Sequence, residues 1–259
     1  MFKTILLSAA AAIAISATAQ AQTAALLVGS DTLAHLDTKS MKITKTVKIS
    51  GAGGPVIGID VRPADGMLYA LAADGTVSTI DPATGKATVK IKLERTLPAG
   101  VKASVDFNPV ADRMRIIGSD GTSLRANVDD GKVAVDGSLK YADADANKGK
   151  APSVTAGAYS NSVKGAKETA LYDIDTATMA YLRQAPPNDG ILNTLGKVNV
   201  KSKSLAFDIA ADGNGGNTGW LLAGRTLYKL DIANGNTTRA GVVRRLNGTV
   251  NDLAVLPQS

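Results

Sequence analysis

Cysteine is missing from all 259 residues. No disulfide, thiolate metal site or cysteine nucleophile is available, and stability must come from burial alone. Histidine is almost missing. His35 stands alone, so a multi-histidine zinc site is excluded, and nothing beside it marks it as a general base. Aromatic residues make up 4% of the chain, which leaves Val, Ile, Leu and Ala to build the core. Glutamate is confined to Glu94 and Glu168, which weighs against a glycosidase built on a glutamate pair. There is no G-x-S-x-G elbow and no phosphate loop. No basic patch is interleaved with aromatics, which argues against nucleic acid as a partner.

What is present begins with a leader. Lys3, the apolar run Ile5–Ile15 and the small-x-small triplet Ala19-Gln20-Ala21 read as a secretion signal over residues 1–21. The run is too short and too alanine-rich for a membrane span. Cleavage leaves residues 22–259 as one domain in the periplasm or outside the cell, and losing Lys3 takes the net charge from +6 to +5. Lysines such as Lys42, Lys45, Lys48, Lys86, Lys90 and Lys92 recur at spacings that suit solvated edge strands, which charge protects from aggregation.

The stretch GIDVRPADGMLYALAADGTVSTIDPATGKATVKIK, residues 58–92, organises the chain. It reads as four short strands. Pro63 and Ala64-Asp65-Gly66 end the first, Asp74-Gly75 is a hairpin signal for a primed turn, and Asp81–Gly85 makes the third turn. Such a unit cannot bury both faces alone and must stack on copies of itself. First strands recur at Gly58, Ser104, Val154, Leu205 and Asp252, about 46–51 residues apart. Third-to-fourth turns recur at Asp37, Asp81, Asn127, Gln184 and Asp231.

The N-terminus supplies only strands two to four of a unit (Ala25–Gly29, Leu33–Asp37, Lys42–Ile49). The C-terminus supplies only a first strand, Asp252–Leu256. Joining them completes a fifth unit. The expected fold is all-β, a five-bladed β-propeller of four-stranded antiparallel blades, closed by pairing of N-terminal strands with the C-terminal strand. An open sandwich or solenoid is the competing arrangement of the same strands.

Two groups of residues are candidates for chemistry. Asp60, Asp106 and Asp208 fall in one column of the innermost strands, with Ala158 and Ala254 in that column elsewhere. Carboxylates around one axis suit a cation, a sugar or acid–base work, and equally suit bonds to amides of the neighbouring blade. Asp143, Asp145 and Asn147 alternate as in the first half of a calcium loop, in the long link Asp136–Pro152 expected beside the mouth of the central funnel. The second half fails, because Val154 stands where a bidentate glutamate belongs. Calcium is the one cofactor the sequence suggests. Trp220, the lone tryptophan, suits the core better than a sugar platform.

The motifs GIDVRPADGMLYAL, DFNPVADRMRI, LRANVDDG, ADANKGKAPSV with AYSN, LYDID, QAPPNDGILNTLG and FDIA occur in this order. Their succession resembles the exported bacterial family catalogued as domain of unknown function forty-three ninety-four. The chain departs from that family's pattern at Ser104-Val105 and Ser123. The resemblance implies export and a propeller-like fold, and brings no catalytic residues with it.

The functional expectation is a monomeric ligand-binding or protein-interaction module of the cell envelope. Its partner would be a small molecule, a glycan or an envelope protein. The alternative is a carbohydrate-active enzyme, glycosidase or lyase-like, that uses the funnel carboxylates.

Overall fold

The computed structural model describes residues 22–202 and 204–257, so the secretion signal expected over residues 1–21 lies outside the described residues. Twenty-one strands form five sheets, and no α-helix occurs among the described residues. No helix there is long and apolar enough to cross a membrane.

The first sheet joins β21 (Val250–Val255) to β1 (Thr23–Val28), β2 (Thr32–Asp37) and β3 (Lys42–Lys48). The second contains β4 (Val56–Val61), β5 (Leu68–Ala72), β6 (Thr76–Ile80) and β7 (Ala87–Lys92). The third runs through β8 (Ala103–Asn108), β9 (Arg113–Gly118), β10 (Ser123–Ala126) and β11 (Val133–Val135). The fourth holds β13 (Val154–Tyr159), β14 (Leu171–Asp175), β15 (Ala180–Gln184) and β16 (Ile191–Lys197), with β12 (Lys140–Tyr141) added at its edge. The fifth contains β17 (Leu205–Ala211), β18 (Asn217–Ala223), β19 (Thr226–Leu230) and β20 (Thr237–Val242).

The innermost strands pack in the cyclic order β21, β4, β8, β13, β17 and back to β21. The protein is therefore a closed five-bladed propeller. Closure is noncovalent, as the split repeat requires. β1 and β21 run antiparallel, with Ala24 opposite Val255 and Leu26 opposite Leu253.

Five apolar clusters among the described residues fill the spaces between blades. Leu71 and Val77 of the second blade meet Phe107 and Met114 of the third, for example. Leu26 and Leu36 of the first blade meet Trp220 and Leu222 of the fifth, which seals the ring. Each such aliphatic side chain contributes about 1.5–3 kcal/mol by leaving water. Small inner-strand residues permit the blades to converge. A Cβ on Gly58 would lie 2.3 Å from Val105 Cγ2 of the next blade.

Two turns differ from expectation. The hairpin at Asp74-Gly75 has three residues between strands, and only Gly75 takes a positive φ, of 87°. The Gly75 amide returns to the Ala72 carbonyl, and Asp74 Oδ1 accepts the Thr76 amide at 2.9 Å. A side-chain acceptor at Asp74 thus stabilises an ordinary turn ending in a left-handed glycine, and no primed turn is needed. The link Asp136–Pro152 does not sit beside the funnel mouth. Its Lys140 and Tyr141 pair in parallel with Ile191 and Leu192 of β16, the outermost strand of the fourth blade. An outer edge has free backbone groups to satisfy, and this link covers one.

Candidate functional site

β4, β8, β17 and β21 each direct an aspartate into the space between inner strands. Asp60, Asp106 and Asp208 come together, with one oxygen from each lying within 4.8 Å of the others. All are 4–5% exposed. The structure adds a fourth, Asp252, 6% exposed. It occupies the position two residues before Ala254. Every second strand residue points to the same side, so the sequence carried that signal.

The four follow one rule. Each aspartate accepts the amide hydrogen of the following blade, one position further along. Asp60 Oδ2 takes Phe107 N–H at 2.7 Å, and Asp106 Oδ1 takes Tyr159 N–H at 3.1 Å. Asp208 Oδ2 takes Val255 N–H at 2.6 Å, and Asp252 Oδ2 takes Ile59 N–H at 2.9 Å. Only the step from β13 to β17 lacks such a bolt, because Ala156 and Ala158 stand in those columns. The other oxygens of Asp60, Asp208 and Asp252 accept the amide of the next residue along their own strand.

Burial pushes the Asp60 and Asp106 carboxyls well above the ordinary range, and the neighbouring carboxylates push them further. Burial likewise raises Asp252, and lifts Asp208 to about 6. Buried carboxylate oxygens this close favour a proton or a cation among them.

On the face where the inner strands end, a cleft of about 880 Å³ opens. Asp60 and Asp208 form part of its buried lining, and Ser162, Lys164, Asp212 and Lys229 stand around it. Trp220 belongs to the core, as expected, yet it also borders this cleft. Its Nε1–H donates to Gln22 Oε1 at 2.8 Å, and Lys229 Nζ lies 5.6 Å from its ring centroid.

The Asp143–Asn147 loop lies elsewhere, against β16. Asp145 accepts the Thr194 amide at 2.6 Å and the Asn147 amide at 2.8 Å. Asp143 is exposed and paired with Lys148 at 3.0 Å, and Asn147 Oδ1 accepts from Lys150 at 2.8 Å. These oxygens are committed to local donors, two of them lysines.

His35 and two buried arginines join blades. His35 Nε2–H donates to the Pro82 carbonyl of the second blade at 2.8 Å, and burial lowers its pKa. Arg62 reaches from the second blade to Asp112 and Asp129 of the third, each at 2.6 Å. Arg115, 2% exposed, bonds Tyr159, Ser123, Asp136 and Asn188. Nearby Asp173 is wholly buried with neither oxygen hydrogen-bonded, and burial lifts it to about 7 against the pull of Arg115. Nothing in its sequence context, LYDID, separates it from an ordinary strand aspartate.

A family model described as Domain of unknown function (DUF4394) matches residues 32–254. No curated protein matches the chain. Among solved structures, one of a protein of unknown function from Bacteroides thetaiotaomicron has a TM-score of 0.54 at 15% identity, covering 92% of this chain. This chain spans 65% of that protein's length. A protein of unknown function from Bacteroides caccae has a TM-score of 0.49 at 12% identity, covering 92% of this chain and 100% of its own. The first of these likenesses concerns the fold alone.

Proposed function

We propose a ligand-binding role for this chain, which belongs to the family described as a domain of unknown function, DUF4394. The ligand is a small polar molecule, such as a sugar, that enters the cleft where the inner strands end. The observation that carries this reading is the cleft itself. Its volume of about 880 Å³ falls in the range of small-molecule sites, and residues from several blades converge on it. Lys164, Asp212 and Lys229 offer donors and acceptors at the rim, and Asp60 and Asp208 set the polarity below. Asp60 and Asp208 suit shaping this pocket better than acid–base chemistry, because they are buried and already accept backbone hydrogens, and Asp106, outside the lining, is held in the same way. The leader-like pattern of residues 1–21 supports placing this binding in the periplasm or the exterior.

The test is calorimetry of the mature protein against a panel of mono- and oligosaccharides, amino acids and small organic acids. A panel member should bind, and Lys229→Ala or Asp212→Ala should weaken it by about tenfold, the effect of losing one good polar contact. Binding that ignores both rim variants, or a panel without a single binder, overturns the reading.

A further inference from the structure

We propose that the opposite mouth of the channel is a second and separate site, built for a small anionic amphiphile, an alkyl carboxylate. The inner strands begin at this mouth. Val56, Ala103, Thr155, Leu205 and Val250, from all five blades, line a cavity of about 340 Å³. The segment Leu97–Lys102, which links the second blade to the third, forms another part of the wall. The volume suits a small organic molecule.

The lining is chiefly apolar, through Val56, Ile57, Leu97, Val101, Leu205 and Val250. Among the described residues its lining contains no carboxylate, and Lys102 is the one charged side chain there. The other mouth is polar and carries both signs, with Asp60, Asp208 and Asp212 beside Lys164 and Lys229 in its lining. A hydrocarbon body matches the apolar wall, and a single negative head matches the exposed Lys102. A cationic amphiphile finds no counter-charge here. The two ends of the ring axis thus differ in polarity.

The experiment uses the full mature chain and 1-anilinonaphthalene-8-sulfonate as a fluorescent anionic probe, displaced by hexanoate, octanoate and decanoate. Saturable one-to-one binding is expected, with affinity rising about fourfold per added methylene until the cavity fills. Decylamine should compete at least about tenfold more weakly than decanoate, for want of a counter-charge. Lys102→Glu should weaken decanoate by about tenfold and leave decanol unchanged. Val101→Trp should block both by filling the cavity. Should that variant fail to fold, Lys102→Glu on the exposed side chain still decides the matter. Absence of a saturable signal, affinity independent of chain length, or decylamine binding as tightly as decanoate overturns the proposal. Unchanged decanoate binding in Lys102→Glu does so too. None of these outcomes bears on sugar binding at the other mouth.

Discussion

Asp60 of the second blade holds the Phe107 amide of the third at 2.7 Å, a buried side-chain-to-backbone bond that crosses the seam between two sheets. The same relationship joins Asp252, on the C-terminal strand of the first blade, to Ile59 of the second. These aspartates are acceptors first. Their charge is a cost of the arrangement, because burial disfavours the ionised form.

Asp252→Ala removes the acceptor and leaves the Ile59 amide buried and unpaired. The loss is about 1–3 kcal/mol, the desolvation cost of such a group. Asp252→Asn keeps an oxygen for the Ile59 amide and discards the charge but loses the acceptor for the Leu253 amide, so it should cost less than Asp252→Ala. Urea unfolding of the two variants separates the roles, and equal losses would contradict this account.

The protein should be more stable at pH 5 than at pH 8. A raised carboxyl pKa means that the folded chain holds the proton more tightly than the unfolded chain. Its contribution is complete below the ordinary value of 3.8 and is lost as pH rises through the folded values, about 6 for Asp208 and about 7 for Asp173. The combined loss is on the order of a few kcal/mol. Asp173→Asn should flatten the upper part of the profile. A stability curve flat between pH 5 and 8 in the parent protein would refute the argument.

Arg115→Ala should cost about 3–5 kcal/mol, because it strands the buried Asp136 with only Arg125 as partner. Arg113→Ala, two residues away and bonded only to the nearby Ala111 and Asp112 carbonyls, should cost less than about 0.5 kcal/mol. Thermal unfolding compares them directly.

Asp145→Ala should lower stability by about 1 kcal/mol, since it unfastens the long link from Thr194, whereas Asp143→Ala should change little. Millimolar calcium should leave the unfolding midpoint where it is, because the loop's oxygens already serve local donors. A rise that disappears in Asp143→Ala would restore the calcium loop. A rise that persists there and disappears in Asp106→Asn would assign the cation to the channel aspartates.

Gly58→Ala should destabilise by about 1–3 kcal/mol through its clash with Val105, although its backbone conformation is open to any residue. Gly58→Ala combined with Val105→Ala should recover part of the loss, and a simple sum of the two penalties would count against direct contact.

Much of the fold was legible because repetition exposes it. Strand starts at Gly58, Ser104, Val154, Leu205 and Asp252, and a half-unit at each end, allow few arrangements besides a closed ring. The column Asp60, Asp106, Asp208 was legible for the same reason. Asp252 was missed because alignment placed Ala254 in that column, although Asp252 lies on the same strand face. The link Asp136–Pro152 was misplaced because a two-residue parallel strand, Lys140–Tyr141, leaves no periodic trace.

The sequence by itself determined the number of blades, the split unit that closes the ring and the turn positions, because these depend on local alternation and on residues such as Gly75 and Gly85. Tertiary structure alone decided which oxygens meet which amides and how far burial raises each carboxyl. It also decided that the two channel mouths differ in polarity. Those properties arise between blades about fifty residues apart in the chain, and local sequence patterns do not encode distances across such a seam.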